Sequence, residues 1–267
     1  MTKQNYKPHV FALSALFTLG NAIILPPEFT VINLVLIPIV SLAMLAFSSV
    51  KFCKNIIAFL AAIYGALATA VDYISFLKQE QTTATSIVLL IVAFGLAVAV
   101  FWDANRHAIY KYSLFMFLLV AVILALCLVA GRTNFEYTNL TESIKNTNVS
   151  VNKIFALCLP LVALSSFTSN ENSRQKPLLF GVMTGVLLLF ITMLQSVLTL
   201  GNASNFPYLK AVSTISVGSL FTRLDGLVWF VFFVTSIIKT IVCINVIVVV
   251  LKTAKIKRAD IYKQKTP

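Results

Sequence analysis

The chain has 267 residues, of which 59% are hydrophobic and only 11% are charged, and its formal net charge is +12. A typical globular domain is about 45–50% apolar and about 25% charged, so a soluble fold of this length would expose apolar surface that it could not cover. A mean hydropathy of +0.92 also excludes a disordered chain. The composition therefore predicts an integral membrane protein that crosses the bilayer several times.

Apolar segments long enough to cross a bilayer follow one another along the whole chain. There are eight, at residues 10–25, 31–50, 56–77, 85–102, 110–131, 151–168, 178–200 and 226–251. Helices are favoured because the bilayer core offers no partners for free backbone groups, and continuous apolar runs are unlike the alternating strands of a β-barrel. We predict one all-α polytopic transmembrane domain over residues 1–252, followed by a basic cytoplasmic tail over residues 253–267.

The positions of the basic residues predict the orientation of the chain. If all eight segments cross, fourteen of the 21 Lys and Arg residues lie on the side of the N-terminus and six lie on the other side. Because cytoplasmic loops carry an excess of Lys and Arg, this bias predicts that both termini are cytoplasmic. It also accounts for the basic net charge without a nucleic acid partner.

Two of the segments carry residues that interrupt a helix. Gly20 and Asn21 lie deep in the first segment, and Pro160 lies near the middle of the sixth, ahead of Ser165. Glycine and asparagine are poor in a helix interior, and proline removes one helical hydrogen bond. Paired interrupted segments indicate a transporter-type ligand site at the bilayer midplane. The alternative is that these residues only permit close packing or a kink.

Two ionisable residues lie inside apolar segments. Asp72 is about one turn from the outer end of the third segment, and Lys239 lies in the middle of the eighth. An intramembrane ionisable residue is a functional candidate by default, although Asp72 is close enough to the interface to reach water. Lys239 is expected in a polar interior, where it would pair with Asp72, hold the carboxylate of a ligand, or stand in for a coupling cation.

Signatures of an enzyme, a metal site or a disulfide framework are not found in the sequence. The two histidines, His9 and His107, are not spaced as ligands, and the four cysteines form no CxxC or Cys/His cluster. No nucleophile, base and acid stand in a catalytic arrangement. We therefore expect a protein that is not an enzyme and that holds no metal and no cofactor.

A stretch near the C-terminus resembles the spore germination permease family, the B subunit of germinant receptors. Members carry Tyr-Pro or Phe-Pro, then Ile-Ser-Ile-Gly, then Arg-Leu followed by an acid, then a span that opens with Trp. In this chain the elements are Phe206-Pro207, Ile215-Ser216-Val217-Gly218, Arg223-Leu224-Asp225 and Trp229. The continuation to Lys239 and the first segment, with Gly20 ahead of Pro26, are also similar to the family.

The resemblance implies a fold, a function and partners. The fold is that of the amino acid–polyamine–organocation superfamily, a LeuT-like five-plus-five inverted repeat of ten helices in which helices one and six are interrupted. With eight predicted segments, this chain would lack the last two helices. The implied function is sensing of a small nutrient germinant such as an amino acid, in the cell or spore inner membrane. The implied partners are germinant receptor subunits of the A and C types.

The residues assigned to the ligand site follow from the two interruptions. Gly20 and Asn21 would offer backbone groups and an amide, Pro160 would free a carbonyl, Ser165 would be a polar neighbour, and Tyr64 would cover the site. Pro207, Gly218, Arg223 and Asp225 are expected to be structural, with Asp225 at the N-terminus of the last helix, where an acid is favourable. Two alternatives to the sensor remain: a secondary active transporter for amino acids, unrelated to germination, and an assembly subunit without a ligand.

Overall fold

The computed structural model of the chain is all-α over the residues that it describes, which are 7–20, 31–48, 54–79, 95, 106–145, 151–168, 175–201, 207–215 and 225–265. The fourth predicted segment lies outside these ranges apart from Gly95, as do Asn21, Gly218 and Arg223. The helices are α1 (Lys7–Leu19), α2 (Val31–Ser48), α3 (Lys54–Gln79), α4 (Arg106–Gly131), α5 (Tyr137–Lys145), α6 (Val151–Cys158), α7 (Pro160–Thr168), α8 (Gln175–Leu200), α9 (Pro207–Ser213) and α10 (Asp225–Lys265), with a 3₁₀ turn at Arg132–Asn134.

Three helical stretches are long and apolar enough to cross a membrane, namely Ile109–Asn134, Gln175–Leu200 and Gly226–Ala254. Shorter apolar stretches are Val35–Phe47, Asn55–Val71 and Ile154–Thr168. A helix satisfies its backbone groups internally, which is why apolar sequence in a bilayer adopts it. The prediction of an all-α membrane protein is thereby confirmed.

Two predicted boundaries differ from the structure. The helix in the first segment begins at Lys7 and ends at Leu19, earlier than predicted. The last helix does not stop at the predicted start of the tail but continues to Lys265. The charged residues of the tail are good helix formers, so the helix can propagate past the apolar segment. The long polar connection after α4 also contains a helix, α5.

Helices α1, α4 and α8 run in the same direction. At their N-terminal ends, His9 Nδ1 lies 3.1 Å from the carbonyl oxygen of Tyr110. Farther along α1, Ala15 packs against Gly185, four residues after the contact of Phe11 with Gly181. Because the contact residues increase in number along both helices, α1 and α8 are parallel.

The other ends of α4 and α8 also meet. The side-chain amide of Gln195 on α8 donates a hydrogen bond of 2.8 Å to the carbonyl of Cys127 on α4, and the amide of Glu136, just beyond α4, donates to Leu198. Gly201 ends α8 with a φ of +68°, a left-handed conformation that glycine adopts without strain. The two C-termini therefore lie at one end of the bundle.

The pair α6–α7 runs in the opposite direction. It begins six residues after α5, at the end of the bundle where α4 and α8 terminate. Near its own C-terminus, the Phe167 ring lies 5.8 Å from the ring of Tyr110, which is close to the N-terminus of α4. The chain therefore returns through the bundle between α5 and α8.

The short helix α9 closes the end of the bundle where α4 and α8 terminate. The amide side chain of Asn134 donates to the carbonyl of Thr214, and Tyr208 is buried. Burial raises the pKa of Tyr208 well above its ordinary value, and the neighbouring Cys127 thiol raises it further. The hydroxyl is therefore neutral, and α9 docks through packing.

Candidate functional site

The first helix ends inside the protein. Its 13 residues span about 20 Å, which is less than the roughly 30 Å of a bilayer core. The amide of Gly20 makes the final helical bond, to Leu16 at 2.9 Å. Gly20 is buried, so the last carbonyl groups of α1, which have no partner within the helix, and the negative end of its dipole lie in the bundle interior.

The sixth predicted segment is divided into two helices. Helix α6 ends at Cys158, Leu159 forms a turn, and α7 begins at Pro160. The amide of Leu159 still bonds to Phe155, but Pro160 has no N–H to donate to the carbonyl of Ala156. Pro160 is buried, and it lies against Gly65 of α3. The interruption is therefore inside the bundle and not on its outer surface.

Both interruptions pack against one face of α10. A Cβ added at Gly20 would lie 3.1 Å from the carbonyl oxygen of Thr235, and one added at Gly65, beside Pro160, would lie 2.9 Å from the Cys243 thiol. Eight residues separate Thr235 from Cys243, a rise of about 12 Å along the helix. Lys239 is halfway between them along the chain and is 3% exposed.

The face of α10 around Lys239 is polar. Thr235, Ser236, Lys239, Thr240 and Cys243 are all buried. At about 100° per residue they fall within an arc of roughly 140°, which is one side of the helix. The opposite side is apolar and, with α4, lines a cavity of about 220 Å³. The arrangement places a buried ammonium, hydroxyls, the end of α1 and the break between α6 and α7 near one face of α10.

The structure describes some of the predicted site residues and leaves others undescribed. Ser165 is buried, and its hydroxyl donates to the carbonyl of Val162 at 2.9 Å. Tyr64 is 38% exposed, so it lies at the rim of the bundle, whereas the neighbouring Gly65 makes the contact with Pro160. Asp72 is in α3, but its side chain is not described.

The residues of the family signature lie at helix starts where they are described. Pro207 is the first residue of α9, and Asp225 is the first residue of α10. Proline is favoured in the first turn of a helix because its missing N–H is not needed there. An acid at a helix N-terminus interacts favourably with the helix dipole. These positions suit the structural role expected of the two residues.

Reasoning from the sequence singled out Lys239 but missed Ser236 and Thr240. Their hydroxyl oxygens are buried and have no hydrogen-bond partner among the described residues. The available signal was their spacing, since Ser236 lies three residues before Lys239 and four before Thr240, the separations at which side chains are neighbours on a helix. Sequence reasoning also missed Gly185, which with Gly181 forms a Gly-x-x-x-Gly pair against the backbone of α1.

The described part of the chain shows no group of three His, Cys, Asp or Glu side chains that would hold a metal ion. Cys127, Cys158 and Cys243 are free and buried, as expected of small buried hydrophobes. The candidate site among the described residues consists of Lys239, hydroxyl groups and helix ends.

No protein family, curated protein or solved structure matches this chain.

Proposed function

We propose that this chain is a permease-like membrane subunit that senses a small nutrient such as an amino acid, in the manner of a germinant receptor B subunit. The observation that carries the proposal is the meeting of the α1 end and the α6–α7 interruption on the polar face of α10 around buried Lys239. A charge at the centre of a bilayer is costly, and ionisable residues there mark ligand or ion pathways. The link to germination comes from the sequence resemblance.

The proposed ligand lies between α1, α7 and α10. Carbonyl groups at the end of α1, near Gly20 and Asn21, would accept hydrogen bonds from the ligand's ammonium, since the C-terminal end of a helix favours a positive charge. Pro160 would contribute the carbonyl that it leaves free on Ala156, with Ser165 as a polar neighbour and Tyr64 at the rim. Lys239 would face the carboxylate.

Binding would act through a change in helix packing. A ligand that prefers one of two packings shifts the population toward that packing by its differential affinity. In a receptor, the changed surface would be read by partner subunits of the A and C types. Net flux of the ligand across the membrane is not required for such a signal.

We also propose that the chain crosses the membrane eight times, with both termini cytoplasmic, in the helix order of an inverted-repeat transporter fold. The parallel directions of α1, α4 and α8 support this proposal. Two successive helices among these three can run in the same direction only if the chain crosses the membrane an odd number of times between them. Helices α2 and α3 supply two such crossings before α4, so the segment at residues 85–102 would supply the third.

Cysteine labelling from the two sides of the membrane tests this topology. In a variant without the four native cysteines, Lys7→Cys, Ala104→Cys and Lys176→Cys should react from the cytoplasmic side. Gln81→Cys and Thr138→Cys should react only from the opposite side. Labelling of Gln81→Cys and Ala104→Cys from the same side would contradict the eight-span topology.

Ligand binding by full-length protein in lipid nanodiscs tests the sensing function. We expect a radiolabelled amino acid mixture to bind to the wild type and to lose at least tenfold in affinity with Lys239→Met, since a charge-assisted hydrogen bond is removed. Gly20→Leu should also weaken binding, because its side chain would be forced toward Thr235. Ser196→Ala, a buried change on α8, should bind as the wild type does. Equal binding by all four proteins would contradict the proposal.

A secondary active transporter for amino acids is the second candidate function. The two interrupted helices favour it as much as the sensor, because transporters use such interruptions for substrate and ion sites. Proteoliposomes distinguish the two functions: net uptake driven by an ion gradient indicates a transporter, and binding without uptake indicates a sensor. If Gly20→Leu leaves the function of the cell unchanged, an assembly subunit without a ligand is favoured.

A further inference from the structure

The hydroxyls of Ser236 and Thr240 on α10 differ from the other buried Ser and Thr hydroxyls that the structure describes. Nine buried Ser and Thr side chains donate to a carbonyl three or four residues earlier in their own helix; they are Ser14, Thr18, Thr69, Ser113, Ser165, Thr168, Thr192, Ser196 and Thr235. Ser41 pairs with the thiol of Cys158. Among the buried Ser and Thr side chains that the structure describes, Ser236 and Thr240 are the two whose hydroxyls have no hydrogen-bond partner.

One of the two helical carbonyls within reach of Ser236 already accepts a bond from a neighbouring hydroxyl. The carbonyl of Phe232, four residues before Ser236, already accepts a hydrogen bond of 3.1 Å from Thr235. Ser236 is 1% exposed and Thr240 is 8% exposed, so neither can turn to water. A buried polar group without a partner is costly, and in a functional region it indicates a partner that is bound from outside.

The side chains around the two hydroxyls determine which partner is favoured. Ser236 and Thr240 are one helical turn apart, and Lys239 lies within the same roughly 100° arc of α10. An ammonium has three donors and no acceptor, so it can contact a ligand while it keeps a protein partner. A hydroxyl can also donate, so the three side chains can all donate to the same acceptor atoms. This set of donors favours a ligand rich in acceptors, such as an anion.

We infer that Ser236, Lys239 and Thr240 form an anion subsite that takes a single negative charge, either the carboxylate of an organic solute or a small inorganic anion. The two hydroxyls and the ammonium donate hydrogen bonds to the same ion. Because all three side chains are buried, the bound anion is enclosed, and exchange requires α10 to separate from its neighbours. The inference deepens the proposed function, since it names the part of the ligand that α10 holds.

Anion titration of the full-length protein in phosphatidylcholine nanodiscs tests the subsite. Sodium acetate and sodium chloride are titrated separately, with 2-(N-morpholino)ethanesulfonate, a bulky anion without a carboxylate, keeping the ionic strength constant. We expect at least one of the two anions to raise the midpoint of thermal unfolding saturably. The double variant Ser236→Ala/Thr240→Val should need at least tenfold more of that anion for half-saturation, because two donors are lost.

Matched variants separate the subsite from a general effect of salt. Thr192→Val, which removes a buried hydroxyl bonded within α8, should keep the half-saturating concentration within twofold. Lys239→Arg should retain the effect, and Lys239→Gln should lose it. A response to acetate alone indicates an organic carboxylate, and an equal response to chloride indicates an inorganic anion. No saturable response to either anion, or the same response in the double variant and in Thr192→Val, overturns the inference.

The anion titration and the amino acid binding experiment fail in different ways. If acetate or chloride binds through Ser236 and Thr240 but no amino acid binds, the subsite stands and the nutrient-sensing function is wrong. If amino acids bind equally well to the wild type and to the double variant, the sensing function stands and the subsite is wrong.

Discussion

The bundle has two regions that handle buried polar groups differently. In the region of α1, α4 and α8, the buried Ser and Thr hydroxyls bond within their own helices, and Gln195 bonds across to Cys127. In the region of α3, α7 and α10, buried Lys239 lies on the same side of its helix as the unpartnered hydroxyls of Ser236 and Thr240, near the end of α1 and the break between α6 and α7. The first region therefore has the features of a fixed frame, and the second has those of a binding site.

The difference between the two regions indicates where a functional site is expected in this membrane protein. Small residues and interhelical hydrogen bonds hold membrane helices together, and these are the features of the first region. Uncompensated polar groups are expensive in a bilayer and persist where a ligand or an ion uses them. Substitutions in the two regions should therefore have opposite consequences for stability and for binding.

The largest loss of stability is expected at the glycine contacts of the frame. A Cβ added at Gly185 would lie 2.7 Å from the carbonyl oxygen of Ala15. Gly185→Ala should lower the free energy of unfolding by about 1–3 kcal/mol through overpacking, as measured by SDS titration. Gly226→Ala is the matched control, because nothing lies within 4 Å of its added Cβ. An equal effect of the two substitutions would show that α1 and α8 are not in close contact.

A smaller loss is expected from the hydrogen bond between α8 and α4. Gln195→Leu removes the donor to Cys127 and should cost about 1 kcal/mol in the same unfolding measurement. The matched control is Gln175→Leu, the same change at an exposed position on the same helix. Amino acid binding should be unaffected by both, because neither residue lies in the proposed site. A Gln195→Leu variant as stable as the control would refute the role of this bond.

The smallest effects are expected from single hydroxyls, and they should differ between the two regions. Thr192→Val removes a bond of 2.8 Å to Leu189 and should cost roughly 0.6 kcal/mol, a typical value for a polar contact in a membrane protein. Thr240→Val removes no bond that the structure shows and should leave the unfolding free energy of the ligand-free protein unchanged or higher. If Thr240→Val were the more destabilising of the two, its hydroxyl would have a protein partner and the anion subsite would lose its basis.

Much of the fold was predictable because it follows from local chemistry. Apolar runs in a bilayer must be helical, so the helical segments around residues 110–131, 178–200 and 226–251 were found with small errors at their ends. The break between α6 and α7 lies at Pro160, and α1 ends just before Gly20, since proline and glycine act on the backbone where they stand. The extension of α10 to Lys265 was not predicted, although residues 252–265 contain no proline or glycine that would end the helix.

The amino-acid sequence by itself determined that this protein lies in a membrane, that its described backbone is helical, and that a lysine is buried where lipid cannot accept it. Only the tertiary structure decided which residues meet Lys239 and which hydroxyls keep their own helical bonds. Thr235, Ser236 and Thr240 are chemically alike, and they differ only in the carbonyls and helices around them. Periodicity assigns a residue to a face of its helix. The residues that pack on that face belong to helices more than 70 residues away in the chain, and only the tertiary structure brings the two together.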